Sequence, residues 1–317
     1  MITKRYSEDE IISKLFLPIA GREAMGLADD AALMAVRDKP LVLTTDMLVA
    51  GVHFFAQDLP ELIAKKALRV NLSDLAAKGA VPQGFLLSLA LPTDWSNVWL
   101  ESFARGLGED AQDFATPLLG GDTTATSGPV TISITAIGTV ETFVARRGAR
   151  VGDGVYVSGP IGEAALGLWL RENPRCLETL PLEARDGLLA RYLLPRPRLD
   201  LIPVLTGSAN ASMDISDGLA GDLAKLMRVS GVSAEVAISD IPLSLAALQV
   251  IAINPDLLEL ALTGGDDYEI LFTAGADFSP PKGIWRIGSV TAGLGPPQLR
   301  DGEGKSVFFK KNSYRHF

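Results

Sequence analysis

The sequence predicts an α/β (α+β) protein of two similar-sized regions. Three observations carry this. Strand-like and helix-like segments alternate along the chain. At 317 residues it exceeds what one hydrophobic core usually serves. A polar, turn-rich segment, ARRGARVGDG (145–154), lies near the middle, and the pattern restarts beyond it. The expected domains are about 1–144 and 145–317.

Residues 41–45 (LVLTT) form a short apolar run of strand type. PELIAKKALRVNLSDLAAKG (60–79) opens on proline and closes on glycine, the asymmetry of a helix. GFLLSLAL (84–91) reads as a strand and 97–111 as a helix. VTISITAIGTV (130–140) is the clearest strand, with Ile132, Ile134 and Ala136 on one face and Thr131, Ser133 and Thr135 on the other. After the central turn come a strand at 154–158, a helix over 162–171 and a loop with prolines at 195, 197 and 203. A strand reaching MDIS (213–216), a helix over 217–229 with Asp217 as a candidate N-cap, and an acidic loop at 263–269 complete the outline.

The 29 basic and 38 acidic residues give a net charge of −9, which argues against non-specific nucleic-acid binding. A hydrophobic fraction of 47% with 21% charged residues supports a large core and excludes disorder. The single cysteine, Cys176, excludes a disulfide framework and a Cys-rich metal site. MITKRYSEDEII lacks the features of a signal peptide, and no apolar run reaches membrane-spanning length. A cytoplasmic protein without membrane or nucleic-acid partners is expected.

The aspartates keep unusual company. GLADDAAL (26–33), TTD (44–46), NLSD (71–74), GGDTT (120–124), MDISDG (213–218) and TGGDDYE (263–269) each combine Asp with Gly, Ser, Thr or Asn. Carboxylates gathered at strand ends repel one another until cations neutralise them, and all-oxygen ligand sets suit magnesium. Turn and helix-cap chemistry accounts for any one cluster alone; six in one acidic chain weaken that alternative. Phosphate-binding glycine signatures fail: DGEGKS (301–306) would need glycine at 299, which is Leu, and residues 152–167 lack GxGxxG spacing. With no GxSxG and only His53 and His316, histidine-based nucleophilic catalysis has little material.

TTDMLVAGVHF (44–54), KALRVNLSDLAAKGAVP (66–82), LLGGDTT (118–124), GARVGDGVYVSG (148–159), MDISDGL (213–219) and LTGGDDYEILF (262–272) together resemble the thiamine-monophosphate kinase family. That family belongs to a wider ATP-binding group with aminoimidazole ribonucleotide synthetase. The resemblance implies phosphoryl transfer from ATP to thiamine monophosphate, several Mg²⁺ ions, and a homodimer whose N-terminal sheets join into a barrel. It implies that Asp30, Thr44, Thr45, Asp46, Asp74, Asp122, Asp214 and Asp217 hold metal. Gly121, Asp122, Arg146 and Ser216 would face ATP. His53, Asp266 and Tyr314 would face the substrate, where a carboxylate and an aromatic ring suit a cationic thiazolium. The alternative for Arg146 is an exposed linker charge, for His53 a satisfied core or edge residue, for Tyr314 a frayed tail, and Lys78 could be the surface partner of Asp74. The chain departs from the family pattern at Ala28, where glycine is usual, and at Asp266, where glutamate is common. Two rivals remain: another ATP-dependent synthetase of the group, and a non-catalytic nucleotide-binding scaffold. A selenophosphate synthetase would want a reactive cysteine near the N-terminus, which is missing here.

Overall fold

The computed structural model describes residues 6–27, 34, 39–311 and 313–314. It divides into two compact units. One takes the chain up to Leu75 together with Ala80–Glu141; the other takes Ala76–Gly79 and continues from Thr142.

The first unit begins with a single turn, α1 (Glu8–Ile11), opened by a reciprocal cap: the Ser7 N–H donates to Glu10 and the Glu10 N–H donates to the Ser7 hydroxyl. Its body is β1 (Leu41–Val49), α2 (Pro60–Ala77), β2 (Val81–Pro92), α3 (Asn97–Asp113), β3 (Leu118–Thr126) and β4 (Thr131–Thr139). The strands form one sheet in the order β1-β4-β2-β3, β4 antiparallel to β1 and β2, and β3 parallel to β2. The alternation expected in β4 is present: Ile132, Ile134 and Ala136 are buried, while Thr131, Ser133 and Thr135 lie on the more exposed side. The pairings Thr45↔Thr135 and Met47↔Ser133 extend that outer face across β1, where Leu43 and Met47 are exposed. The strand not anticipated is β3, because its two glycines and its Asp-Thr-Thr run read as a turn.

Helices α2 and α3 are joined by a two-pronged ion pair. Arg69 Nε and Nη2 donate to Asp110 Oδ2 and Oδ1 at 2.6 and 2.9 Å, and the Asp110 side chain is fully buried. Arg69→Met strands that carboxylate without its counter-charge, so we expect a loss of about 3–5 kcal/mol, read from urea unfolding monitored by circular dichroism. An unchanged midpoint would show that the pair contributes nothing to the fold.

The second unit contains β5 (Gly154–Val157), α4 (Glu163–Glu172), α5 (Leu182–Leu193), α6 (Ile202–Ser208), β6 (Ala209–Asp214), α7 (Leu219–Ser230), β7 (Ser233–Ala237), α8 (Leu245–Ile253), α9 (Leu257–Thr263), β8 (Ile270–Ala274), β9 (Trp285–Thr291), β10 (Gln298–Arg300) and β11 (Ser306–Val307). Seven strands pair in the order β11-β10-β7-β9-β5-β8-β6. Both faces of β5 are buried, which explains its uninterrupted apolar run. Val155 and Val157 pack with Met213, Leu223, Leu226 and Leu271, whereas Tyr156 points into a second cluster with Leu205 and Phe272. The Tyr156 and Phe272 rings stack at 5.3 Å. A third cluster packs α4, α5, α8 and α9 through Leu166, Leu188, Val250 and Ala261.

Three boundaries differ from expectation. Pro203 lies in the first turn of α6, where its missing N–H is harmless, so the proline-rich loop ends in a helix. The strand expected to reach Ser216 stops at Asp214. Helix α7 starts at Leu219 with Gly218 as its cap, not Asp217. Among the described residues, no helix is long and apolar enough to cross a membrane.

Candidate active site

In the first unit, β1 and α2 bring three of the expected residues together. Thr44 and Asp46 are two apart on β1 and so share one face. The Thr44 hydroxyl donates to Asp74 Oδ2 on α2 at 2.5 Å. Three residues earlier on the same helix, Asn71 is fully buried and fully used: its Oδ1 accepts the Asp46 N–H at 3.0 Å and its Nδ2 donates to the Ala67 carbonyl at 3.0 Å. Asn71 thereby fixes α2 to β1 where the carboxylates of Asp46 and Asp74 approach each other. Burial, and after it the charge of Asp74, pushes the Asp46 carboxyl up to about 6. Two half-buried carboxylates that repel each other are a site that a divalent cation suits.

Thr45 occupies the opposite face, where its hydroxyl accepts from Thr135 Oγ1 at 3.1 Å. Asp122 is exposed on β3, in register with Ser88, next to Gly121 opposite Leu87. His53 follows β1 in a tight turn closed by the Gly51 N–H to the Phe54 carbonyl at 2.8 Å. Its Nδ1 accepts the Val49 N–H at 2.9 Å, so the hydrogen-bond pattern assigns the ring proton to Nε2. Asp30 lies outside the described residues.

In the second unit, sheet register brings two of the acidic segments together. Antiparallel pairing sets Asp214, at the end of β6, against Ile270, at the start of β8. The residues after Asp214 therefore lie beside those before Ile270, and MDISDG meets TGGDDYE. The contact is made by backbone: Asp266 N–H to the Ser216 carbonyl at 2.8 Å, Tyr268 N–H to Ile215 at 2.9 Å, and Ile215 N–H to Glu269 at 2.8 Å. Asp266 and Tyr268 adopt left-handed backbone, φ +67° and +52°. Non-glycine residues hold that conformation only where their surroundings enforce it. Asp214 is buried; Ser216, Asp217 and Asp266 are half-buried.

The 216–217 turn is braced from α7. The Asp222 carboxylate accepts the N–H groups of Ser216 and Asp217 at 3.0 and 2.9 Å, and Lys225 bonds to both Asp217 and Asp222. Burial raises the Asp222 carboxyl above its ordinary value, with Lys225 opposing. The Tyr314 N–H donates to the Asp217 carbonyl at 3.0 Å, which ties this residue to the turn. Arg146 is exposed, on a segment whose Ala145 carbonyl accepts from Ser212 on β6. The Lys78 ammonium reaches the Ser212 carbonyl at 2.6 Å. Among the described residues, no group of three or more His, Cys, Asp or Glu side chains converges to hold a metal ion.

Asn71, Asp222, Lys225, Arg198, Asp267 and Glu269 escaped the sequence reading. The spacing of Asn71 and Asp74 on one helix face, and of Asp222 and Lys225 on another, was the available signal.

Residues 28–140 match the family model for the AIR synthase related protein N-terminal domain, and residues 150–293 match that for the C-terminal domain. The chain is 37% identical over 318 residues to the thiamine-monophosphate kinase of Caulobacter vibrioides, covering 96% of this chain and 87% of that protein. The crystal structure of thiamine monophosphate kinase from Aquifex aeolicus is 36% identical with a TM-score of 0.77, covering 86% of this chain and 91% of that one. AaThiL complexed with AMPPCP and TMP gives a TM-score of 0.78 at 34% identity over the full length of both chains. On its motifs, its two matched domains and this full-length similarity, the chain belongs to the thiamine-monophosphate kinase family.

Proposed function

We propose that this enzyme transfers the terminal phosphoryl group of ATP directly to thiamine monophosphate, giving thiamine diphosphate and ADP. The observation that carries the reading is the near-full-length similarity to thiamine-monophosphate kinases, joined to paired acidic segments in each unit. An oxygen of the acceptor phosphate forms the bond to the γ-phosphorus, and the bond to the β–γ bridging oxygen breaks, leaving ADP with the electron pair. A phosphate monoester, with a second pKa of about 6, is mostly dianionic at neutral pH and needs no strong general base. The scarcity of histidine is then no obstacle.

The protein's task is to hold two polyanions in line. Asp30, Thr44, Thr45, Asp46, Asp74, Asp122, Asp214 and Asp217 would hold Mg²⁺. The raised Asp46 carboxyl and the oxygen-only donor set support this. When bound, magnesium neutralises and aligns phosphate oxygens. Gly121, Asp122, Arg146 and Ser216 would orient ATP, and His53, Asp266 and Tyr314 the acceptor. Residues 1–144 would supply most metal ligands and the dimer surface, with 145–317 completing the functional set. A homodimer is supported by the apolar outer face of the first sheet, where Leu43, Met47 and Leu86 are 62%, 58% and 38% exposed. The lone cysteine supports a reducing, cytoplasmic setting.

Purified protein with ATP, Mg²⁺ and thiamine monophosphate is expected to form thiamine diphosphate, resolved by chromatography. Free thiamine and aminoimidazole precursors serve as controls. Product from a control substrate only would reject the assignment.

A further inference from the structure

The 264–269 segment alternates in its exposure. Asp266 and Tyr268 are half-buried, whereas Asp267 and Glu269 are buried, at 9% and 3% exposure. The buried pair anchors the segment from behind. Both oxygens of Asp267 accept the Gly162 N–H, at 3.0 and 2.9 Å, just before α4. Glu269 Oε2 accepts the Ser158 hydroxyl at 2.5 Å and Arg198 Nη1 at 2.7 Å, with Arg191 Nη2 3.9 Å from Oε1. Ser158 Oγ in turn accepts the Ile270 N–H at 2.7 Å. Arg198 also donates to the Ser158 carbonyl and to Asp200. This ion pair, buried at Glu269 and half-buried at Arg198, sits one residue from left-handed Tyr268 and three from left-handed Asp266. Its hydrogen bonds fix the segment in a way that the local backbone preference would not.

We infer that Arg198 and Glu269 are positioning residues for the acceptor substrate, their ion pair holding the segment so that Asp266 keeps its left-handed backbone against Ser216. The inference rests on the reading that Asp266 meets thiamine monophosphate. Arg198 and Glu269 act through Asp266, so their loss falls on acceptor binding ahead of the general fold or the nucleotide.

The test is steady-state kinetics of Arg198→Gln, Glu269→Gln and the double variant, with thiamine monophosphate and ATP varied separately. Glu269→Gln leaves Arg198 with Asp200 as its acidic partner, and Arg198→Gln leaves Glu269 with the longer contact to Arg191 at 3.9 Å. Outer partners of metal-ligating groups are worth 10–100-fold; taking the low end of that range for a substrate-holding carboxylate, each single variant is expected to raise KM for thiamine monophosphate about tenfold, with KM for ATP little changed. In the double variant two amides can pair in place of the ions, and most of the acceptor affinity is expected to return. Arg198→Lys keeps the charge and is expected to fall between wild type and Arg198→Gln, which covers the case of a poorly folding glutamine variant. Faster hydrogen exchange at the Asp266 and Tyr268 amides in the single variants, reversed in the double, is the structural readout.

A purely structural pair would lower stability and active fraction while leaving both KM values alone, and that result overturns the inference. Asp266→Asn with a wild-type KM for thiamine monophosphate would overturn it too, since the positioned group would have no substrate to meet. Wild-type protein that makes no thiamine diphosphate would instead overturn the functional reading beneath it.

Discussion

Asp46→Asn is expected to abolish turnover and, in the metal-free protein at neutral pH, to raise the melting temperature. The two effects have one cause. Asp46 is pushed up to about 6 from the ordinary 3.8, by burial first and by Asp74 second. The folded state therefore binds that proton more tightly than the unfolded chain does. This contribution to stability is fully present below pH ~4, is lost as pH rises through about 6, and leaves the folded carboxylate at a disadvantage above it. A shift of about two units corresponds to at most ~3 kcal/mol. Asparagine keeps the shape without the charge, so the variant should gain over wild type as pH rises and match it in acid. Removing one preorganised electrostatic group from a reacting centre costs about 10²–10³ in rate, and the loss of a metal-holding carboxylate should be at least that large. Melting curves in chelator at pH 4 and pH 8, with Mg²⁺ restored at pH 8, read the stability half; Mg²⁺ should stabilise wild type more than the variant. Equal melting temperatures at both pH values, or near-normal turnover, would remove Asp46 from the proposed role.

Which parts of this molecule were legible in its sequence follows from how local the determining forces are. The β4 alternation was legible because each residue answers to the same two environments, core and outer face, every second position. Strand β3 was not, because Gly120 and Gly121 carry no side chain to report a face, and its pairing with β2 joins residues more than thirty positions apart. The acidic segments announced themselves through composition, and the register Asp214↔Ile270 explains why two of them meet. Their supports stayed hidden. That Glu269 would be matched by Arg198 and not by a nearer basic residue depends on the proline-rich segment running past Ser158, at the end of β5, which no spacing rule encodes. Asp217 shows the opposite error. A helix start beside an aspartate invites an N-cap, yet the bracing carboxylate is Asp222, from inside the helix, and Asp217 is left facing Lys225.

Gly265→Ala is the backbone counterpart of the charge experiment and should be nearly as damaging. Gly265 has φ +77°, in the left-handed region where a Cβ costs roughly 1–2 kcal/mol. It also has no room, since a Cβ there would lie 2.2 Å from the Ser216 carbonyl oxygen and 2.9 Å from Asp217 C. Both are backbone atoms, and the same Ser216 carbonyl accepts the Asp266 N–H. Forcing atoms into a packed position adds about 1–3 kcal/mol. The total of about 3 kcal/mol corresponds to a fall of roughly 6–12 °C in melting temperature for a unit of this size. The functional loss should exceed what that stability change explains, because the only way to clear the overlap is to part the 216–217 turn from the 264–269 segment. That displaces Ser216, Asp217 and Asp266 together. Gly187, on α5 with open space where a Cβ would go, provides the control: Gly187→Ala should keep activity and gain slightly in stability, as alanine is the better helix former by about 1 kcal/mol. If Gly265→Ala melted and turned over like Gly187→Ala, the close contact of the two acidic segments would not be a requirement of the site.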